Sequence, residues 1–271
     1  MNCAIVPLKI IWNSFCYRLV NREANNLITS LSVMIALHLD IKDIIYRFCY
    51  ALILNVYVYL INDFFDVACD LASPERASSK TRYLADHRRS AQFAILFLGG
   101  VLLLGGLYHS WLMFIAFWAN TFLVGSYSAK LKSCPFADII LMSLTGITMS
   151  LVSIPLQSFM GWKLIGLLGI ICSSFEVIQI IRDEPHDRKA QVNTTAVKLG
   201  AKRAAWIFRG LILLASLYTI GLMQSWVGLG FLQGLLIPLN PQFASKAWDI
   251  TRLIFGATWL GLIINVYLGI I

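Results

Sequence analysis

Asn62-Asp63-Phe64-Phe65-Asp66-Val67-Ala68-Cys69-Asp70 closes an apolar run that begins at Tyr50, and the reading of this stretch decides what kind of chain this is. On a helix, Asn62, Asp63, Asp66 and Asp70 fall along one face, because residues three and four apart stack on successive turns. That face concentrates negative charge where hydrocarbon gives way to polar chain. Like charges so close repel, and burying them unpaired is costly, so the arrangement calls for cations. Oxygen donors with no His or paired Cys beside them suit a hard divalent ion. Mg²⁺ takes one or two carboxylates and completes its shell with water and phosphate oxygens. A single Asp past a hydrophobic helix reads as a solvated cap, whereas four polar residues in register ask for more. Cys69, one thiol with no metal-binding partner, reads as a small apolar filler.

The surrounding chain is 58% hydrophobic and only 13% charged over 271 residues, with a mean hydropathy of +0.73. Soluble domains do not have this balance, and a polytopic membrane protein does. About nine hydrophobic segments are predicted, at 26–39, 43–61, 91–108, 110–127, 135–156, 161–181, 204–223, 226–239 and 251–271. Most approach the roughly 20 residues that span a bilayer, while the first and eighth are short. If the N-terminus is cytoplasmic, 18 of the 22 Lys and Arg residues fall on inner segments and only Lys42, Arg47 and Lys163 on outer ones. Basic residues accumulate in cytoplasmic loops, so the partition supports both the number of spans and their direction. The expected fold is an all-α polytopic bundle of about nine transmembrane helices, a single domain over 1–271, with the acid-bearing helix ends on the cytoplasmic side. The net charge of +8 is then mostly a topology signal and needs no nucleic acid to explain it. Six Cys without paired spacing indicate neither a disulfide framework nor a zinc site. Residues 1–14 have no cleavage site of the secretory kind and suit a short interfacial helix.

Other polar residues gather near the inner boundary. Arg22 and Asn26, one turn apart before the first span, either face a polar cavity or anchor the interface. Arg76, Lys80 and Arg82 follow the acidic face in the first long inner loop, placed to pair with it or to hold an anion that a bound metal also contacts. Tyr127 with Lys130 and Lys132 marks another inner boundary, where a Tyr and Lys also serve as ordinary interface anchors. Asp138, six residues beyond Lys132, is in reach to orient Lys130 or Lys132. The sixth segment carries Glu176 and Gln179 and then Asp183 and Asp187, which are four apart and again share a face. Pro185 between them is expected to kink or end the helix, and His186 reads as a solvated loop residue. Two acidic walls ending spans on one side of the membrane are suited to close on a single polyanion. Residues 204–271 offer apolar spans, Gly and aromatics, and no chemical constellation.

Together, Asn62-Asp63-x-x-Asp66-x-x-x-Asp70, Tyr127-Ser128-x-x-Leu131-Lys132 and Asp183-x-x-x-Asp187 resemble the motifs of the UbiA superfamily of intramembrane prenyltransferases, over roughly residues 18–200. The resemblance implies a nine-helix bundle with a lateral opening for prenyl chains and a cytoplasmic pocket holding diphosphate between the two Asp-rich motifs through Mg²⁺, as two ions. It implies metal ligation by Asn62, Asp66 and Asp70 at one site and by Asp183 and Asp187 at the other, with Asp63 a supporting acid. Arg76 matches the diphosphate-binding base that follows the first motif, Arg82 the Arg of an Arg-Pro pair, and Tyr127 with Lys130 or Lys132 the residues flanking the reacting carbon and the diphosphate. Arg22 and Asn26 join the diphosphate-binding set. The chain departs from the pattern in several places: Tyr83 follows Arg82 where Pro is usual, Gln191 stands where a Gly commonly follows the second motif, Pro185 and His186 fall within that motif, and the Tyr-to-Lys spacing is not the commonest form. The implied activity is Mg²⁺-dependent transfer of a prenyl group from an allylic prenyl diphosphate to an aromatic or other lipophilic acceptor. The alternative on the same fold is cyclisation of the prenyl diphosphate without an acceptor. An ion-coupled carrier ranks lower, because its acids belong near the bilayer centre, whereas these cluster at one boundary.

Overall fold

A computed structural model describes residues 5–20, 25–72, 78–129 and 131–271, and among them it contains helices and turns and no strand. In chain order the helices are α1 (Ile5–Val20), α2 (Asn25–Ala36), α3 (Ile41–Ala72), α4 (Ser79–Asp86), α5 (Arg88–His109), α6 (Trp111–Ala129), α7 (Ala137–Ser150), α8 (Phe159–Lys189), α9 (Thr195–Leu199), α10 (Ala201–Leu217) and α11 (Ala244–Tyr267). Short 3-10 turns at Leu131–Ser133 and Leu151–Ser153, a π turn at Tyr218–Leu222 and a 3-10 segment at Trp226–Leu236 complete the described elements. Arg22, Arg76 and Lys130 of the expected site lie outside the described residues, as do the side chains of Val20, Asn25, Cys69, Ala72, Ala129 and Lys132.

Helix starts are read directly from the sequence. The Asp40 carboxylate accepts from the Lys42 N–H at 2.8 Å ahead of α3, and Ser78, Ser158 and Thr194 cap α4, α8 and α9 by accepting from the N–H groups of Thr81, Gly161 and Val197. Each supplies an acceptor to a helical N–H that has no partner within its own helix.

Among the described residues, five helices are long and apolar enough to cross a membrane: Ile41–Ala68, Arg88–His109, Phe159–Lys189, Ala201–Leu222 and Ala244–Tyr267. The remaining expected spans correspond to shorter or less apolar pieces, α2, α6, the α7 region and the Trp226–Leu236 segment. Burial orders them. Within its apolar window α8 is 72% buried and α5 only 28%, so α8 is the centre of the bundle and α5 part of its rim. On α5 the large apolar groups Phe93, Leu96, Phe97 and Leu104 are exposed, as suits a face against hydrocarbon rather than water. α7 packs most closely on α8, through glycines: a Cβ at Gly146 would lie 2.7 Å from Cys172 Sγ, and one at Gly169 would lie 2.8 Å from Ile147 Cγ1. Small residues at such crossings let two backbones approach.

Pro185 does not end its helix, because α8 runs through it to Lys189. Proline lacks one N–H, so it forfeits a single i→i−4 bond. Bonds further on close the end, with the Ala190 N–H donating to His186 O at 2.9 Å and the Val192 N–H to Asp187 O at 2.9 Å. His186 is therefore helical rather than a loop residue.

The bundle has two chemically different ends. At one, the half-buried Asp43 takes hydrogen bonds from Arg47 at 2.8 Å and faces His109 Nε2 at 2.6 Å, while buried Arg47 also donates to the carbonyls of Val152 and Ile154 after α7. His38 Nε2 meets Tyr267 O there at 2.9 Å, joining the turn after α2 to the end of α11. The C-terminal ends of α3, α6 and α8 and the start of α7 lie at the other.

Candidate active site

α6 ends between the two acid-bearing helices, and its adjacent residues Tyr127 and Ser128 reach opposite ways. The Ser128 hydroxyl donates to Asn62 Oδ1 on α3 at 3.1 Å. The Tyr127 hydroxyl donates to Glu176 Oε1 on α8 at 3.4 Å. Glu176 is buried, and it stands seven residues before Asp183 and eleven before Asp187, near two and three helical turns, so all three share a face. One helix end thus touches both acidic walls.

On α3, Asn62 and Asp63 take opposite edges of the acidic face, about 100° apart, with Asp66 and Asp70 between them. The Asn62 amide also donates to Asp66 Oδ2 at 3.2 Å, so the Asn62 edge is tied to α6 on one side and to Asp66 on the other. Its carbonyl oxygen keeps a second lone pair beyond the one Ser128 uses. Asp63 is in a different setting: Arg18 of α1 donates to Oδ1 at 2.7 Å and Lys80 of α4 donates to Oδ2 at 2.7 Å, with only 9% of the side chain exposed. Arg18 lies over the Tyr59 ring at 4.1 Å from its centroid, and Lys80 over the Tyr17 ring at 4.1 Å. The charges are shielded by aromatic faces as well as by each other.

On α8, Arg182 binds its neighbour Asp183 in a bidentate pair at 2.9 and 3.2 Å. Arg182 is 41% exposed, and a pair of that exposure is worth under about 1 kcal/mol, so an incoming cation can displace it. Arg188 holds Glu184 at 2.6 Å and donates to Val197 O at 3.4 Å, which fastens the end of α8 to α9. Gln191, where the family pattern has Gly, has φ of 58°, the left-handed conformation that Gly favours.

Asp138 joins the start of α7 to α9. This buried carboxylate at the start of α7 accepts from the Thr195 N–H at 2.8 Å, the Thr195 hydroxyl at 2.5 Å and the Ile139 N–H at 2.9 Å. Its oxygens satisfy a helix start and pin α9, and the lysines it was expected to orient, Lys130 and the Lys132 side chain, lie outside the described residues. Arg82 is exposed on α4, and Asn26 is half-buried at the start of α2, with its carbonyl accepting from the Thr29 hydroxyl at 3.0 Å. Residues not singled out as site candidates also belong to this end: Arg18, Lys80, Ser128 and Glu176. Glu176 was legible from its seven-residue spacing to Asp183, and Lys80 from its place just behind the acidic face, where a cation able to pair with it was expected; Arg18, 45 positions from Asp63, carried no local signal.

Among the described residues no three His, Cys, Asp or Glu side chains close into a ligand cluster. Mg²⁺ does not require one, because it binds through one or two carboxylates and draws its other oxygens from phosphate and water. Asn62, Asp66 and Asp70 on one wall and Asp183 and Asp187 on the other form an all-oxygen donor set that fits such an ion.

A helical bundle with hydrocarbon-facing flanks and its acidic chemistry gathered at helix ends has the architecture of an integral membrane protein. The particular family follows from comparison: the profile of the UbiA prenyltransferase family matches residues 27–260, and the chain belongs to that family. The fold is similar to that of a solved digeranylgeranylglyceryl phosphate synthase, with a TM-score of 0.72 at 18% identity over 98% of this chain and 99% of that one. It is also similar to a UbiA homologue from Archaeoglobus fulgidus bound to GPP and Mg²⁺, with a TM-score of 0.66 at 15% identity over 91% of this chain and 99% of that one. In sequence, the chain is 30% identical over 177 residues to the C(50) beta-cyclic carotenoids biosynthesis protein LbtBC of Dietzia sp. (strain CQ4), covering 56% of this chain and 37% of that protein. The chain therefore spans little more than a third of the length of that relative.

Proposed function

We propose that the protein is a Mg²⁺-dependent intramembrane prenyltransferase that ionises an allylic prenyl diphosphate and joins the prenyl group to a lipophilic acceptor. The observation that carries this reading is the bridging by α6, where Ser128 meets Asn62 of the first acidic face and Tyr127 meets Glu176 of the second. In this reading Asn62, Asp66 and Asp70 hold one ion and Asp183 and Asp187 a second. The N-terminus and both Asp-rich motifs are cytoplasmic, in a bundle of nine spans. Bound Mg²⁺ supplies the charge neutralisation that lets the allylic C–O bond ionise. Arg76 and Arg82, with Lys130 or Lys132, hold the departing diphosphate, aided by Arg22 and Asn26. The C–O bond breaks with its electron pair leaving on diphosphate. Tyr127 presents an electron-rich face to the allylic cation, and the apolar walls keep water from it. The π electrons of the acceptor then form the new C–C bond, and a proton is lost.

The acceptor is drawn from two lipophilic classes, aromatic rings and polyenes, and the carotenoid-biosynthesis relative supports the polyene. Cyclisation without an acceptor is the second reading, since the same ionisation starts it. Purified protein incubated with Mg²⁺ and prenyl diphosphates of graded length, with and without aromatic and polyene acceptors, separates these. Prenylated acceptor and stoichiometric diphosphate are the expected products, and a cyclised product from the prenyl diphosphate alone overturns the transferase reading. Asp66→Asn and Asp183→Asn should each raise the Mg²⁺ concentration for half-maximal diphosphate release at least about tenfold, since each removes a charged ligand.

A further inference from the structure

Asp63 belongs to the acid-rich motif by sequence, yet its surroundings set it apart from the other three residues. Both carboxylate oxygens are engaged at 2.7 Å by cations from two different elements, Arg18 of α1 and Lys80 of α4. The side chain is 9% exposed, and each cation only 15%. The cavity beside it, lined by Ser14, Lys80, Tyr83 and Leu84 among others, measures about 10 Å³. That is room for about one water and none for a diphosphate or a hydrated metal ion. Asp66 and Asp70 are half-exposed on the same helix, and the pair of Asp183 with its neighbour Arg182 is partly exposed. A divalent ion reaching Asp63 would have to displace two buried, aromatic-shielded cations at once.

α4 is the other half of the observation. It follows the inner loop that carries Arg76, and it presents Arg82 two residues beyond Lys80. Ser78 caps its start, with the Thr81 N–H donating to Ser78 Oγ at 3.1 Å, and Lys80 is the residue by which it is ion-paired to α3. α1 is held from the other side by Arg18, and Lys9 of α1 lies over the Tyr83 ring of α4 at 4.9 Å. Three elements distant in sequence thus meet on one carboxylate.

We propose that Asp63 is a positioning residue and not a metal ligand: through Lys80 and Arg18 it fixes α4 and α1 against the motif helix, so that α4 holds Arg82 toward the diphosphate site. The proposal rests on the prenyl diphosphate reading above and assigns Asp63 a different role from Asp66 on the same helix. Loss of the clamp leaves the metal-binding oxygens in place and loosens the part of the site that grips the phosphate.

The test compares Asp63→Asn, Lys80→Gln, their double variant and Asp66→Asn in purified protein, with geranyl diphosphate and Mg²⁺ as probes and diphosphate release as the readout. Asp63→Asn should raise KM for geranyl diphosphate about tenfold or more with a smaller change in kcat, and leave half-maximal Mg²⁺ within about twofold of the parent. Lys80→Gln should do the same, and the double variant should be no worse than the worse single, because both remove one contact. A rise in half-maximal Mg²⁺ for Asp63→Asn equal to that of Asp66→Asn overturns the proposal, as do effects of Asp63→Asn and Lys80→Gln that multiply. Hydrogen exchange of the same proteins gives a readout independent of turnover: Asp63→Asn and Lys80→Gln should each speed exchange in residues 78–86, Asp63→Asn in 5–20 as well, with α10 and α11 unchanged. Unchanged exchange in 78–86 overturns the clamp even if the parent protein releases no diphosphate, an outcome that would instead count against the prenyl diphosphate reading.

Discussion

Asp138 and Asp63 are both buried carboxylates at the same end of the bundle, and they are stabilised in different ways. Asp63 is compensated by two cations, whereas Asp138 is held by hydrogen bonds alone, from the Thr195 N–H and hydroxyl and from the Ile139 N–H. Removing such an acceptor leaves several buried donors without a partner, and each costs about 1–3 kcal/mol. Asp138→Ala is therefore expected to lower stability by about 2–4 kcal/mol, read as a reduced thermal midpoint in detergent, while half-maximal Mg²⁺ stays at the parent value. Neither environment is readable from the residue itself. An Asp at the start of a helix is equally compatible with a neighbouring Lys and with a threonine 57 positions away, and only folding chooses between them.

The end of α8 shows how an element absorbs residues that its local preferences disfavour. Pro185 lies inside the helix, and Gln191 occupies a left-handed position at its close. The Val192 N–H bonds back to Asp187 O at 2.9 Å and the Gln191 N–H to Arg188 O at 3.4 Å, the pair of bonds that ends a helix on a left-handed residue. A residue with a Cβ is strained there by about 1–2 kcal/mol, part of which Gly gives back in unfolded-state entropy. Gln191→Gly should consequently raise stability by about 0.5–1 kcal/mol, seen as an upward shift in thermal midpoint, with the acidic face of α8 and its Mg²⁺ requirement undisturbed. The shared face of Asp183 and Asp187 was legible from their spacing of four. That the helix survives the proline between them was not, because its stability draws on packing and on bonds made further along the chain.

Across the whole molecule, charge and contact divide the bundle in the same way. Asn62, Ser128, Asp138 and Thr195 meet at one end, and Asp43, Arg47, His109 and Val152 at the other. In the proposed topology, argued from the positive-inside rule, the first end is the cytoplasmic one. A membrane-impermeant thiol reagent checks this in a background lacking the six native cysteines. Ser79→Cys and Gln157→Cys, both exposed positions, should label from opposite faces of sealed vesicles, Ser79→Cys from the cytoplasmic one. Labelling of both from the same face would remove the two-ended architecture on which the site reading stands.

Length, apolarity and the spacing of Asn62, Asp66, Asp70, Asp183 and Asp187 determined by themselves that the chain is a helical membrane bundle with two acidic faces, because helical period and hydrocarbon thickness act on local sequence alone. The tertiary structure decided that α6 contacts both acid-bearing helices, through Ser128 and Tyr127, and which cations meet Asp63. Asp63 pairs with Arg18 and Lys80, 45 and 17 positions away, and a carboxylate's partner is set by the elements that pack around it, not by the residues beside it in the chain.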